Sequence, residues 1–292
     1  MTAVISDVAQ VPVPSQSARP RIPATTLRPV SRLAVLGDST AVGLGDPLPG
    51  GGWRGVGPLV AAALGVASAD FYHNGAFTGA RMRCVRTEQL PAAVRMRPDV
   101  TLLVVGMNDT LRSDFDPAQL VEDLGAVVTA LHDAGSLVLA LRFHDHSRVF
   151  RLPGPLARAL RARIGELNRV IDLVAERYDV PCLDVREVSG SYELAAWSVD
   201  RLHPSELGHR MLARGFTELV AGAGFAVAEP VSLECGGGLH TGAVEHIGWL
   251  VVQGVPWLLR RGRDFLPHAG AMMARSALRL PLSTLTRARS EA

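Results

Sequence analysis

The sequence contains no lysine, so all 30 of its basic residues are arginine. This absence excludes enzymes that depend on a lysine side chain, such as P-loop nucleotide hydrolases, pyridoxal-phosphate enzymes, protein kinases and Ser-Lys hydrolases. The formal net charge is only +2. A charge this small gives no general attraction for nucleic acid, and we expect no nucleic-acid partner.

Cysteine and long apolar runs are scarce as well. The three cysteines, Cys84, Cys182 and Cys235, show no CxxC spacing, so the sequence predicts neither a disulfide framework nor a zinc site. No apolar stretch reaches the roughly 20 residues that span a bilayer. The N-terminus lacks the basic and apolar regions of a secretory signal peptide. These features favour a cytoplasmic protein.

The chain of 292 residues is long enough for one α/β domain with appended segments. Residues 1–31 are rich in Pro, Ser, Thr and Ala without periodicity, and we expect a disordered leader. Residues 32–229 form the predicted folded domain. Residues 230–292 predict a basic, amphipathic helical extension. Three interpretations of this extension stay open: it forms a lid over the site, it contacts an anionic membrane peripherally, or it is a helical pair packed on the domain.

Short apolar runs alternate with longer helical patterns through the predicted domain. Because each run is continuously apolar, the pattern predicts a parallel sheet of about five strands covered by helices on both faces. Functional residues in such sheets lie at the carboxyl ends of the strands. The predicted strands are 33–36, 70–73, 100–105, 137–143 and 180–185, and the predicted helices are 53–64, 87–96, 117–134, 156–178 and 204–221.

Four short polar motifs follow predicted strands. They are Gly37-Asp38-Ser39, the segment from Asn74 to Gly79, Gly106-Met107-Asn108-Asp109, and Asp200-Arg201-Leu202-His203. A serine, an imidazole and a carboxylate are the groups that make a hydroxyl nucleophilic at neutral pH. Pro204 biases His203 to an extended backbone, which helps to present its ring from a loop. The motifs therefore predict a serine hydrolase.

On these four motifs, the sequence resembles the SGNH, or GDSL-type, hydrolase family. The resemblance implies that Ser39 is the nucleophile, that His203 is the general base and that Asp200 orients His203. It also implies an oxyanion hole formed by the backbone N–H groups of Ser39 and Gly79 and by the side-chain amide of Asn108. The fold that it implies is a three-layer α/β/α, flavodoxin-like domain.

The activity implied by the resemblance is hydrolysis of a carboxylic ester of a small molecule, lipid or acylated metabolite through an acyl-enzyme, without a metal or organic cofactor. Three alternatives stay open: an O-deacetylase of an acetylated sugar, an acyltransferase, and a non-catalytic, membrane-associated binding protein. Thr40 stands where the family usually has leucine, and Ala80-Arg81 where small or acidic residues are common. Asp38 and Asp109 are expected to brace their loops. The sequence does not fix the oligomeric state.

His144-Asp145-His146 closes the fourth predicted strand. Two histidines two residues apart share one face of an extended chain and suggest a metal site. No third ligand stands nearby in sequence, so the pattern favours pocket-lining or surface histidines and no metal. Phe77, Met107 and Phe143 also lie near strand ends, where they line an acyl pocket or pack in the core.

Overall fold

The computed structural model describes residues 27–66, 68–150, 152 and 154–236, and within them the predicted α/β fold is confirmed. The strands are β1 Leu33–Gly37, β2 Tyr72–Asn74, β3 Val100–Val104, β4 Leu137–Arg142 and β5 Cys182–Asp184. The helices are α1 Ser39–Val42, α2 Val56–Ala63, α3 Met82–Cys84, α4 Leu90–Met96, α5 Met107–Thr110, α6 Pro117–Asp133, α7 Ser147–Phe150, α8 Gly154–Tyr178 and α9 Glu206–Gly222. A π-helical turn, Val85–Gln89, joins α3 to α4.

The five strands form one parallel sheet in the order β2-β1-β3-β4-β5. Leu33 of β1 lies opposite both Tyr72 of β2 and Val100 of β3, which fixes the register of these three strands. Every residue of β1 and β3 is buried, so helices must cover both faces of the sheet. Helix α2 packs with α9, and α4 and α8 pack with α6.

Two of the long helices, α6 and α9, begin directly after a residue whose side chain caps the helix N-terminus. Asp116 accepts hydrogen bonds from the N–H groups of Ala118 and Gln119 and starts α6 at Pro117, as predicted. Helix α9 begins at Glu206, two residues after the predicted start, because Ser205 is its N-cap. Pro204 instead pairs with Trp197 in an isolated bridge.

The folded domain extends beyond both of its predicted boundaries, residues 32 and 229. Arg28 pairs with Phe225, and Val30 is buried in the core, so residues 27–31 belong to the domain and not to a leader. At the other end, Arg214 donates to the carbonyl of Val231 and Arg210 to that of Ser232. The remaining predicted leader, 1–26, and most of the predicted extension, 237–292, lie outside the described residues.

A buried glutamine completes the edge of β1. Strand β2 pairs with β1 only from Leu33 to Val35, so Gly37 has no strand partner on that side. The Gln89 side chain takes that place, since its Nε2 donates to the Gly37 carbonyl at 2.9 Å and its Oε1 accepts from the Gly37 N–H at 2.8 Å. A Cβ on Gly37 would lie 2.1 Å from the Val104 carbonyl oxygen, so only glycine fits there. The chain entering Ser39 is therefore held from both sides.

Replacing Gln89 by leucine should destabilise the protein. Gln89→Leu leaves two buried backbone groups of Gly37 without the amide, and each such group costs about 1–3 kcal/mol. We expect the free energy of unfolding in urea to fall by roughly 2–4 kcal/mol. The exposed Gln119→Leu is the control. Equal stability of the two variants would contradict this role for Gln89.

Candidate active site

Ser39 stands directly beyond the carboxyl end of β1, as the first residue of α1. The backbone N–H of Asp38 donates to the Val104 carbonyl, and the Asp38 carboxylate accepts from the Thr40 N–H at 3.0 Å. Asp38 thereby ties the turn to β3 and caps the short helix. The serine is mostly buried, and its hydroxyl points to a residue from the far end of the domain.

That residue is His203, whose Nε2 lies 2.7 Å from the Ser39 Oγ. The other ring nitrogen, Nδ1, lies 2.5 Å from Oδ2 of Asp200. The structure thus brings three of the predicted site residues, separated by up to 164 positions, into one chain of hydrogen bonds. This arrangement matches a serine nucleophile, its base and the group that orients the base.

The turn that carries Asp200 and His203 is closed by the Asp200 carboxylate itself. Its Oδ1 accepts from the Ser198 hydroxyl at 2.6 Å, from the Leu202 N–H at 2.8 Å and from the His203 N–H at 3.0 Å. Arg201 adopts a left-handed backbone with φ of 54° inside this turn. The second carboxylate oxygen, Oδ2, is the one that contacts Nδ1 of the His203 ring.

Hydrogen bonding keeps Asp200 ionised although it is buried. Burial raises the pKa of a carboxyl, but the hydrogen bonds from His203, the charge that its ring carries when protonated and the hydroxyl of Ser198 outweigh burial and lower the pKa of Asp200 to about 2. A negative charge fixed beside Nδ1 holds the proton on that nitrogen. It leaves Nε2 as the acceptor that faces Ser39.

Asn108 lies in α5, beyond the carboxyl end of β3, and faces the same site. Its side-chain Nδ2 donates to the Ala80 carbonyl at 3.1 Å and lies 3.4 Å from Oδ2 of Asp38. Gly79 lies in the turn from Phe77 to Ala80, directly before the residue that Asn108 binds. The hydrogen bond from Asn108 to Ala80 thus joins α5 to the loop that carries Gly79, at the predicted oxyanion hole.

Asp38 and Asp109 brace this region, as predicted. Asp109 accepts from the Met82 N–H and from Nε of Arg81, both at 3.1 Å. Burial, the largest effect, raises the pKa of Asp38 to about 7, although the Thr40 N–H opposes it. Burial also raises the pKa of Asp109. Arg81, whose place in the sequence departs from the family pattern, therefore holds the carboxylate of Asp109 in position.

A cavity of about 60 Å³ opens beside the hydroxyl of Ser39. Its lining is mainly apolar, which suits the hydrocarbon part of an acyl group. Most of these lining residues could not be predicted from the sequence, because they come from separate loops and helices and their spacing along the chain shows no regular pattern. The lining includes Ser39, Met107, Asn108, Leu111, Phe143, His144, His146, Val185, Val188, Trp197, Leu202, His203, Met211 and Leu212. Phe77 is instead exposed.

The described residues contain neither a metal cluster nor a membrane span. No group of three His, Cys, Asp or Glu side chains within them is placed to hold a metal ion. His144 and His146 line the cavity, one of the two readings that the sequence favoured for them. No helix in the described part of the chain has the length and apolar character needed to cross a membrane.

Comparison with known sequences identifies the family. Residues 35–211, which contain all five predicted site residues, match the profile of the GDSL-like Lipase/Acylhydrolase family. The chain belongs to this family. As a GDSL-like, SGNH-type protein, it is an ester hydrolase. A comparison with curated proteins found no significant match.

Solved structures share the GDSL-like domain's fold. Axe2, an acetylxylan esterase from Geobacillus stearothermophilus, has a TM-score of 0.52 at 19% identity, over 67% of this chain and 96% of that chain. LAE5, an alpha/beta hydrolase from the metagenome of Lake Arreo in Spain, has a TM-score of 0.51 at 21% identity, over 68% and 98%. TesA has a TM-score of 0.50 at 22% identity, over 65% and 98%. At these identities the likeness concerns the fold.

The raised pKa of Asp38 predicts a pH-dependent stability. The folded protein keeps the Asp38 proton to a higher pH than the unfolded chain, whose pKa is near 3.8, so ionisation costs stability as the pH rises from about 4 to 7. The loss is at most about 1.4 kcal/mol per pH unit. Asp38→Asn should therefore gain stability relative to the wild type over this range.

Urea unfolding between pH 4 and pH 8 measures this difference. The exposed Asp133→Asn is the control and should stay parallel to the wild type. Parallel curves for Asp38→Asn and the wild type would contradict a protonated Asp38 in the folded state.

Proposed function

We propose that the protein hydrolyses esters of short acyl groups, with Ser39 as nucleophile, His203 as general base and Asp200 as the group that orients His203. One observation carries the proposal: the continuous hydrogen bonds from the Ser39 hydroxyl through both ring nitrogens of His203 to Asp200. Membership of the family favours this enzyme over a non-catalytic binding protein.

In the first half of the reaction, Nε2 of His203 accepts the Ser39 proton while Oγ attacks the ester carbonyl carbon. Asp200 stabilises the imidazolium that forms. The imidazolium then donates its proton to the leaving alcohol, and an acyl-enzyme remains on Ser39. In the second half, His203 takes a proton from water, the hydroxide attacks the acyl-enzyme, and the imidazolium returns the proton to Oγ of Ser39 as the acid leaves. These steps involve no metal or organic cofactor.

The negative charge on the carbonyl oxygen is received by the N–H groups of Ser39 and Gly79 and by the Asn108 amide. Ser39 is the first residue of α1, so its N–H has no partner within the helix. The contact of the Asn108 amide with Asp38 is long, at 3.4 Å, and the oxyanion replaces it. A preorganised donor of this kind contributes about 2.7–4 kcal/mol to transition-state stabilisation.

Variants of the three proposed catalytic residues should lose turnover of p-nitrophenyl acetate. We expect Ser39→Ala and His203→Ala to lower kcat by at least about 10⁴-fold, and Asp200→Asn by about 10⁴-fold because the wrong tautomer of His203 is favoured. The exposed Ser113→Ala is the control. Activity of Ser39→Ala equal to that of this control would refute the proposed nucleophile.

The cavity favours a short acyl group. The space beside Ser39 has a volume of about 60 Å³, with room for roughly four water molecules, and is lined mainly by apolar side chains. Because Axe2 is an acetylxylan esterase, an O-deacetylase of an acetylated sugar is the second candidate. Transfer of the acyl group to another alcohol uses the same acyl-enzyme and is a further variant of the proposal.

A panel of p-nitrophenyl esters from acetate to palmitate, with acetylated xylo-oligosaccharides beside it, separates these candidates. We expect kcat/KM to fall at least about tenfold from butyrate to octanoate, since forcing extra methylenes into a packed site costs about 1–3 kcal/mol. Met211→Ala, which shortens a cavity wall, should reduce that fall, whereas the exposed Leu173→Ala should not. A preference for palmitate would contradict the short-acyl proposal, and a preference for acetylated sugars over every simple ester favours the deacetylase.

We also propose a cytoplasmic location, supported by three free cysteines. The proposed peripheral membrane contact concerns the basic extension, whose residues from 237 onward lie outside the described part of the chain. The substrate partner on this proposal is a small-molecule or lipid ester.

A further inference from the structure

The loop that carries the proposed general base is closed on itself. Its two ends, Trp197 and Pro204, pair in an isolated antiparallel bridge. Next to this bridge, the Ser198 N–H donates to the His203 carbonyl at 2.8 Å. These bonds, together with those of the turn described above, fix the shape of residues 197–204, the catalytic loop. They do not by themselves fix where the catalytic loop lies relative to the sheet.

A buried histidine beyond β4 binds the catalytic loop from outside. Nε2 of His146 lies 2.8 Å from the carbonyl oxygen of Arg201. A carbonyl oxygen only accepts, so Nε2 carries the proton and donates it. His146 follows shortly after β4, which ends at Arg142 and belongs to the five-stranded sheet. The hydrogen bond therefore ties the catalytic loop to the end of a strand.

The residue that accepts this hydrogen bond has an uncommon backbone conformation. Arg201 has a φ of 54°, in the left-handed region that residues with a Cβ rarely adopt. Such a conformation persists where the surrounding structure supports it. Here the Arg201 N–H donates to the Ser198 carbonyl within the loop, and its carbonyl accepts from His146 outside the loop. Because Arg201 lies between Asp200 and His203, relaxation of its backbone would move both side chains.

Aromatic packing holds the His146 ring in the position from which it donates. The residue is only 1% exposed. Its ring meets Trp197 edge-on at 4.7 Å and Phe150 edge-on at 4.5 Å between ring centroids. His144 stacks on the same Trp197 ring at 5.0 Å. Because Trp197 is one end of the catalytic loop, His146 contacts the loop at two places, by its ring and by its N–H.

The donor does not depend on pH near neutrality. Burial, the largest effect, lowers the pKa of His146 to about 3. The neutral ring carries a single N–H, and the Arg201 carbonyl keeps that proton on Nε2.

We propose that His146 is a positioning residue of the reaction: the hydrogen bond from its Nε2 to the Arg201 carbonyl holds the catalytic loop where His203 reaches Ser39. This inference rests on the proposed function. The segment before Ser39 is held separately, by contacts of β1 with Gln89 and of Asp38 with β3, so a shift of the catalytic loop would not carry the serine with it. Loss of the His146 donor should therefore lengthen the contact of 2.7 Å between Nε2 of His203 and Oγ of Ser39.

Two replacements of nearly equal shape test the donor. His146→Gln keeps an N–H group at the end of the side chain, whereas His146→Met has a similar length and no donor. We expect His146→Met to lower kcat for p-nitrophenyl acetate about ten- to hundredfold, because a small misplacement of a reacting group costs up to about hundredfold. KM should stay within about twofold, since the contact is not with the substrate. His146→Gln should recover most of the lost kcat. His146→Phe, which keeps a ring against Trp197, is a second variant without the donor and should behave as His146→Met does.

Proton NMR separates positioning from a general loss of stability. The Nδ1 proton of His203, bound to Asp200, should give a resonance far downfield that His203→Ala removes. We expect this resonance to shift or broaden in His146→Met and His146→Phe and to keep its wild-type position in His146→Gln. Thr101→Val is the control, because it loses a buried hydrogen bond of 2.8 Å to Ser136 at the opposite end of the strands. Its stability in urea should fall while kcat and the resonance stay unchanged.

The other results overturn the inference, and they differ in what they leave of the proposed function. Wild-type kcat in folded His146→Met and His146→Phe refutes the inference alone. So does a loss of kcat that His146→Gln shares, that Thr101→Val shows equally, or that leaves the resonance unchanged. Failure of both donor-free variants to fold makes His146 a structural residue and refutes its positioning role. Absence of Ser39-dependent hydrolysis in the wild type refutes the proposed function together with this inference.

Discussion

The hydrogen bond between Nε2 of His203 and the hydroxyl of Ser39 joins the two ends of the domain, and the rest of the site is arranged around it. Ser39 follows β1, which lies between β2 and β3 in the sheet, and His203 lies in the loop that precedes α9. Gln89 and Val104 hold the approach to Ser39, while Asp200 closes the turn before His203. The segment before Ser39 and the turn before His203 are therefore each fixed by hydrogen bonds of their own.

Burial acts in opposite directions on the two carboxylates nearest this contact. Asp200 is surrounded by donors and stays ionised, whereas Asp38 receives fewer donors and has a pKa near 7. A protonated Asp38 carries no negative charge. It therefore competes less with an oxyanion for the side-chain amide of Asn108 than an ionised Asp38 would. The difference follows from the number of hydrogen bonds that each carboxyl accepts, because both are buried.

The order of strands and long helices could be predicted from the sequence because continuous apolar runs and helical periodicity are local signals. The motifs at Ser39, Asn108 and Asp200-x-x-His203 could be predicted because turn-forming residues follow those runs. The cavity wall could not, since Trp197 and Met211 come from distant segments with no shared pattern. The π-helical turn that presents Gln89 and the four-residue helices α1 and α5 are too short to show a period. Residues 27–31 were misassigned because pairing with residues 224–226 is a long-range contact that composition does not reveal.

The central claim is that the distant imidazole makes this one serine nucleophilic. Labelling with a fluorophosphonate, followed by mass spectrometry of the digested protein, tests it directly. The account predicts a single adduct on Ser39 in the wild type, and its loss in His203→Ala with the fold retained. A folded wild type without an adduct, or an adduct on another serine, would contradict it.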